Sequence, residues 1–335
     1  MSWTEKEVGA FQSVNNKMLA EINATLRPDE NLKGKVGVFL HGQLGDLATA
    51  MSVLKYRREI FGDKEIIWFA NYPNADLLRY APISEVRPWV WAGNGLPEGT
   101  PDFYPLLCNE NNRLDLVKSK EYELTADLDD GYFPAPHMMS MENRRGIDYP
   151  NVSRKIFGVS SDKEWHPYLS WSFDEQRAAE ILLQIRKTDD RHIIMLETFC
   201  GSGQSRWDDL MTVKTIEMCR EKWGASYFLF ASHKNTEQFK DFEGYISCAH
   251  LTPRQTALLI NYCDLFVGIS SGISVVTSAW GLKPVPKIQY CGSFTCSTVT
   301  LSACEINLIT SDDKDLDASK SEFYDKLKEV ISRIK

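Results

Sequence analysis

The strongest constraint on the fold lies at Asp264-Leu-Phe-Val-Gly-Ile-Ser-Ser-Gly-Ile-Ser-Val-Val-Thr-Ser-Ala-Trp-Gly-Leu-Lys-Pro. A short apolar strand, Leu265 to Val267, runs into a small polar turn over Gly268 to Ser274. A helix-like run of small residues comes next, and Lys283-Pro284 leads toward a second apolar strand. This is the layout of a strand-loop-helix unit. The start of such a helix offers unpaired N–H donors and partial positive charge, which suit a phosphate. Gly272 lets backbone approach a ligand closely. The hydroxyls of Ser270, Ser271 and Ser274 either cap the helix or bind phosphate oxygens, and the stretch alone leaves both roles open.

The rest of the chain repeats this alternation in two halves. At 335 residues it exceeds what one hydrophobic core usually takes. Residues 1–34 read as an amphipathic helical extension. Lys35 to Leu40 is a buried-strand pattern, Gly42 to Asp46 a loop, and Leu47 to Phe61 has helical periodicity. Strands are expected at Glu65–Ala70 and Glu85–Trp91, with a short helix at Asn74–Tyr80. This order begins a Rossmann-like parallel sheet. Gly93 to Tyr122 reads as irregular, Tyr122 to Leu128 as a further strand, and Asp129 to Tyr149 as a binding loop or lid. After a junction between Trp165 and Phe173, helices are expected at Glu175–Arg186, Leu210–Trp223, Thr252–Cys263 and Phe323–Ile334. Strands are expected at His192–Glu197, Ser226–Ala231, Tyr245–Cys248 and from Leu265. The domains are thus 1–34, 35–168 and 169–335. In open parallel sheets ligands bind beyond the carboxyl ends of the strands. Two such sheets facing across a cleft make an α/β fold of the GT-B type, one domain holding a nucleotide and the other an acceptor.

Composition narrows the function classes. A net charge of −8 argues against nucleic acid as a partner, because a basic face supplies most of that affinity. No apolar run approaches a membrane span and no signal pattern opens the chain, so a cytoplasmic protein is expected. The eight cysteines show no Cys-x-x-Cys and no zinc spacing, and reduced thiols are expected. Cys291 and Cys296, with Cys304 beyond, are the nearest approach to a metal motif. Asp127, Asp129 and Asp130 form an acidic cluster that fits an exposed turn better than a metal site.

Three segments carry a family resemblance. Gly42-Gln-Leu-Gly-Asp46-Leu-Ala-Thr-Ala-Met-Ser-Val-Leu resembles the segment that opens bacterial heptosyltransferases of the ADP-heptose type, glycosyltransferase family 9-like proteins. Leu251 to Gly272 resembles that family's segment ending in Val-Gly-x-Asp-Ser-Gly, and Ser205-Arg206-Trp207 falls where the family has a basic residue near a Trp. The similarity is spread over most of residues 35–290. Ser270 stands where the pattern has Asp, Val275 where it has His, and Ser52 or a neighbour where it has Pro. The first two lie at the family's donor pocket, so base and sugar are left open.

The resemblance implies an inverting, metal-independent glycosyltransferase with no cofactor, a nucleotide-sugar donor and a glycan or glycolipid acceptor. Peripheral membrane contact is compatible with such an acceptor. The catalytic-base role falls on Asp46, since a carboxylate within hydrogen-bond reach can take the proton of an attacking hydroxyl; otherwise Asp46 is a helix N-cap. Arg206 offers a guanidinium fork for the diphosphate, and Gly201 and Ser205 form a second loop facing it. Ser270, Ser271, Gly272 and Ser274 complete the diphosphate site, and Glu197 and His233 are candidates for ribose or base. His41, Gln43 and Arg145 are candidates for the acceptor. Two competing functions stay open: a sugar-nucleotide epimerase or hydrolase, and a non-catalytic protein that binds nucleotide or glycan.

Overall fold

The computed structural model describes residues 30–40, 44–89, 103–108, 114–116, 157–187, 190–200, 207–232, 236–291, 306–310 and 315–334, with a few isolated positions besides. The chain divides into two compact units, Met1–Tyr168 and Leu169–Lys335.

The first unit is built on β1 (Lys35–Leu40), β2 (Glu65–Asn71) and β3 (Glu85–Trp89), which pair in parallel. Their apolar runs supply the core, with Val36, Val38, Ile66, Ile67 and Trp68 all buried. β4 (Phe103–Cys108) pairs antiparallel with β1, and β5 (Leu114–Leu116) pairs antiparallel with β4. The sheet order is β3-β2-β1-β4-β5. The parallel expectation thus holds for three strands, and two antiparallel strands lie in the stretch read as irregular. The expected single helix over 47–61 is three pieces: α1 (Leu44–Met51), a 3-10 segment (Ser52–Tyr56) and α2 (Arg57–Phe61). Ser52 and β-branched Val53 are poor helix formers, and Ser52, Val53 and Leu54 are all buried in succession. The segment ending at Tyr168 packs back on these helices. Trp165 stacks on Tyr56 at 6.1 Å, Phe157 meets Phe61 edge-on at 6.3 Å, and the Tyr56 hydroxyl donates to the Glu164 carbonyl at 2.6 Å.

The second unit begins with α3 (Phe173–Lys187), then β6 (Ile193–Glu197) and α4 (Asp209–Trp223). Next come β7 (Tyr227–Phe230), β8 (Tyr245–Ser247), α5 (Pro253–Leu258) and β9 (Leu265–Ile269). α6 (Gly272–Val276), β10 (Lys287–Cys291), β11 (Ile306–Thr310) and α7 (Leu316–Arg333) complete it. All six strands are parallel, in the order β11-β10-β9-β6-β7-β8. Counted within the unit, this is the 3-2-1-4-5-6 order of the dinucleotide-binding fold, with its switch point between β6 and β9. Ile194, Leu196, Phe228, Phe230, Leu265 and Val267 face α4 and α7 in one core. Residues of the opposite parity, among them Phe266 and Lys287, face α6: the buried Lys287 donates to the Ser274 carbonyl at 3.2 Å and to the hydroxyls of Thr277 and Ser278 at 2.8 and 2.6 Å.

Caps set the helix starts. Asp208 accepts from Met211 N–H and Asp315 from Ala318 N–H. Thr252 and Gln255 form a capping box with Pro253 at the first helical position, as the sequence predicts. The terminal helix starts at Leu316, well before the expected Phe323.

One ion pair ties α3 to α5. Arg254, 0% exposed, meets Glu175 through two bonds of 2.8 and 2.6 Å and donates to the Ser170 carbonyl at 3.0 Å. The Arg254 bond, ahead of the opposing cost of burial, holds the Glu175 carboxyl down to about 2. A folded-state value below the ordinary 4.5 contributes stability above that value and loses it as pH falls toward about 2. Glu175→Ala leaves the buried guanidinium without its counter-ion, and the expected cost is about 3–5 kcal/mol by chemical denaturation at neutral pH. An unchanged denaturation midpoint would contradict this role.

Candidate functional site

In the first unit, Asp46 is the third residue of α1 and is half-buried. It therefore lies inside the first turn rather than at the N-cap, where the partial positive charge of the helix start favours a carboxylate. The residues after it, Leu47 to Met51, are buried and fix the helix against the sheet. Thr49 adds a hydroxyl bond to the Gly45 carbonyl at 2.9 Å. His41 and Gln43, the neighbouring candidates, lie outside the described residues, as does Arg145.

In the second unit, the serine turn joins β9 to α6. Ser271 is extended (φ −149°, ψ 171°), and its hydroxyl accepts from the N–H groups of Ile273 and Ser274 at 3.1 and 3.4 Å. The Ser274 hydroxyl accepts from Ser271 N–H at 3.1 Å and donates to the Ser271 carbonyl at 2.6 Å. Of the two roles the sequence left open, Ser271 and Ser274 take the capping one, and Ser274 and Ser270 are buried. Ser271 and Gly272 remain half-buried at the rim.

Beneath this turn the strands come unusually close. Gly268 of β9 pairs with Glu197 of β6 on one side and Gln289 of β10 on the other. A Cβ added at Gly268 would lie 2.2 Å from the Glu197 carbonyl oxygen and 2.8 Å from the Glu197 Cβ. Only a glycine permits that approach. Paired residues on parallel strands project to one face, so Glu197 and Gln289 flank the glycine on the same face. Glu197 is 1% exposed and Gln289 0%. The Oε1 of Glu197 accepts from Phe199 N–H at 3.1 Å, while its Oε2 has no hydrogen-bond partner among the described residues. Neither Oε1 nor Nε2 of Gln289 has one either. Burial pushes the Glu197 carboxyl up to about 8, against a small opposing effect of the Phe199 bond, so it is uncharged at neutral pH.

The chain beyond β6 leads through half-buried Thr198, Phe199 and Cys200 into 201–206. Gly201, Ser205 and Arg206 lie outside the described residues, and so does His233 after β7. The two residues after Arg206 are anchored. Trp207 meets Phe323 edge-on at 5.4 Å and donates its indole N–H to Thr212 at 2.8 Å. Asp208 caps α4 and pairs with Lys320 at 2.6 Å. The acidic cluster at 127–130 and two of the three cysteines near 291 also lie outside the described residues. Among the described residues no group of three or more His, Cys, Asp and Glu is placed to hold a metal, and no helix is long and apolar enough to cross a membrane.

Sequence reasoning placed Glu197 at a strand end but missed Gln289 and the role of Gly268. The signals were a glycine inside an apolar strand, which marks close backbone approach, and a lone amide within Lys-Ile-Gln-Tyr-Cys.

No protein-family model matches this chain, and no curated protein matches it in sequence. Solved structures match it in fold. The glycosyl transferase family 9 protein of Veillonella parvula DSM 2008 has a TM-score of 0.53 and 14% identity, over 85% of this chain and 87% of that one. The E. coli ADP-heptose LPS heptosyltransferase II has a TM-score of 0.53 and 13% identity, over 88% and 98%. The E. coli heptosyltransferase WaaC with ADP has a TM-score of 0.52 and 11% identity, over 86% and 98%. The chain therefore has a GT-B fold of the heptosyltransferase type.

The geometry around Gly268 has two measurable outcomes. Gly268→Ala forces β6 and β9 apart, and its expected cost is about 1–3 kcal/mol by denaturation. For Glu197, a folded-state value above the ordinary 4.5 means full stability below 4.5, lost as pH rises through about 8. Glu197→Gln removes that loss, so the variant should melt increasingly above the wild type from pH 5 to pH 9. Parallel melting curves across that range would refute the uncharged, buried state.

Proposed function

We propose that this protein is an inverting, metal-independent glycosyltransferase that moves a sugar from a nucleotide-sugar donor to a hydroxyl of a glycan or glycolipid. The observation that carries the reading is the match in fold, over 85–88% of the chain, to structures named as glycosyl transferases and heptosyltransferases. Asp46 supports it further, as a half-buried carboxylate in the first turn of the helix after the first strand. The nucleotide sugars named with two of the neighbours, ADP-heptose and ADP-2-deoxy-2-fluoro heptose, suggest the donor class.

In this reading the acceptor oxygen attacks the anomeric carbon while its proton passes to the Asp46 carboxylate. The bond from that carbon to the diphosphate oxygen breaks, and the nucleoside diphosphate leaves with the electron pair. Attack opposite the leaving group inverts the anomeric configuration. Arg206, Gly201 and Ser205 stabilise the departing charge, together with the rim of the serine turn at Ser271 and Gly272 and the buried Ser270 beneath it. Ser274 acts by capping that turn. Glu197 and His233 face the nucleoside or sugar, while His41, Gln43 and Arg145 serve the acceptor.

A second reading has one observation in its favour. Val275, which stands where the resembling family has a donor-pocket His, is 2% exposed and packed in the interior. A protein that binds nucleotide sugar without turning it over would carry that change.

Nucleotide release from a panel of nucleotide sugars separates the two. Asp46→Asn is expected to lower turnover about 10²–10⁴-fold with nucleotide affinity unchanged. Binding without release by the wild type, on every acceptor offered, would favour the second reading. Turnover unaffected by Asp46→Asn would remove Asp46 from the mechanism.

A further inference from the structure

Three buried polar atoms at the switch point of the second unit have no protein partner among the described residues. They are Oε2 of Glu197 and both Oε1 and Nε2 of Gln289. They belong to one row across the sheet, because Glu197 and Gln289 pair with the same residue, Gly268. Gly268 contributes no side chain between them, and the Glu197 Cβ leans over it. Leaving a buried donor or acceptor unpaired costs about 1–3 kcal/mol per group. An apolar side chain at either position would avoid that cost, as Met195 and Phe266 do one row below on the same face. A row of unmet groups at the carboxyl end of the central strands is a feature of recognition rather than of packing.

We propose that Glu197 and Gln289 form a hydrogen-bonding socket that receives hydroxyl groups of the nucleotide-sugar donor and so helps determine which donor binds. The inference rests on the donor reading above and deepens it. The chemistry selects the ligand group. The carboxamide offers an NH2 with two donor hydrogens and an accepting carbonyl oxygen, and a protonated carboxyl both donates and accepts. Vicinal hydroxyls, which both donate and accept, complement that set. A phosphate carries only acceptors and a charge, and finds no cation in this row; Lys287, one row below on β10, already donates to the Ser274 carbonyl and the Thr277 and Ser278 hydroxyls. Burial at this position keeps the carboxyl protonated at neutral pH, so it does not repel the diphosphate nearby. The hydroxyls come from the ribose or from the transferred sugar, and the two sources are separable by experiment.

The test is calorimetric titration of the full chain with ADP, UDP and GDP and with their glucose conjugates. Variants are Glu197→Gln, Glu197→Met and Gln289→Met, each with its melting temperature. A neutral socket predicts that Glu197→Gln, which keeps an acceptor for Phe199 N–H and an outward donor, binds within about threefold of wild type. Each Met variant should lose about tenfold or more, the equivalent of one hydrogen bond of about 1.4 kcal/mol. Melting temperatures of the Met variants should hold or rise, since unpaired polar atoms are removed. A loss already present with the bare diphosphates assigns the ribose, and a loss confined to the conjugates assigns the sugar. Met variants that fold and bind like wild type overturn the proposal and leave the pair a structural feature only. Equal losses in Glu197→Gln and Glu197→Met overturn the neutral character of the socket. A wild type that binds none of these nucleotides overturns the donor reading itself, and the socket with it.

Discussion

The close approach of β6 and β9 at Gly268 is the contact on which the second unit depends. The two halves of the six-stranded sheet meet along this pair. Below Gly268 the seam is apolar on both faces, with Ile194, Met195, Leu196, Leu265, Phe266 and Val267 all buried. Side chains of this size each contribute about 1.5–3 kcal/mol when fully buried, so the seam is held firmly from its base. At its upper end the character changes within one row to a carboxyl, a glycine and an amide. The absent side chain at 268 lets the strands stay paired to the point where they diverge. It also leaves the polar groups beside it lying over backbone rather than over a packed side chain.

The serine turn above this row is fixed from two ends. α6 spans only Gly272–Val276, too short to persist alone. Its first turn is held by the reciprocal bonds of Ser271 and Ser274. Its last turn is held by Lys287, whose ammonium reaches the Ser274 carbonyl and two hydroxyls and lies 5.3 Å from the Phe266 ring centroid. A cation at a helix C-terminus is favoured by the helix dipole. So short a helix has a small dipole, and its cap already occupies the N–H groups of Ser271, Ile273 and Ser274. An anion at this rim therefore needs a side-chain cation for most of its stabilisation, which is the role proposed for Arg206.

The parallel framework was legible because its strands are continuous apolar runs bounded by polar turns, as at Lys35–Leu40, Ile193–Glu197 and Leu265–Ile269. Thr252-Pro253 announced its helix because a cap and a proline act locally. β4 escaped notice because Pro105, paired with Val38, interrupts a pattern that the antiparallel partner completes. β11 escaped for the related reason that a short edge strand draws its identity from its neighbour β10. Asp46 was a candidate by its motif alone, whereas its exact place inside the helix depends on where the first turn closes. Gln289 was illegible as a candidate for the site. Its meaning lies in register with Gly268 and Glu197, residues far away in sequence, and register is a property of the folded sheet.

That register also gives physical sense to the two departures from the family pattern. Ser270 and Val275 replace an acid and an imidazole with a small hydroxyl and an apolar side chain. Neither side chain is ionisable, so neither leaves a charge at the turn, and both are buried. The carboxyl nearest in register, Glu197, is held uncharged by burial, with no cation paired to it among the described residues. The row itself is thus neutral, and the one cation bonded to the turn above it, Lys287, is taken up by the Ser274 carbonyl and the Thr277 and Ser278 hydroxyls. A diphosphate at the rim would meet no fixed negative charge from these strand ends. Selectivity among donors would then come from hydrogen-bond geometry instead of charge. A neutral wall discriminates by leaving its own buried groups unpaired when the wrong ligand arrives, and each such group costs about as much as the hydrogen bond it fails to make.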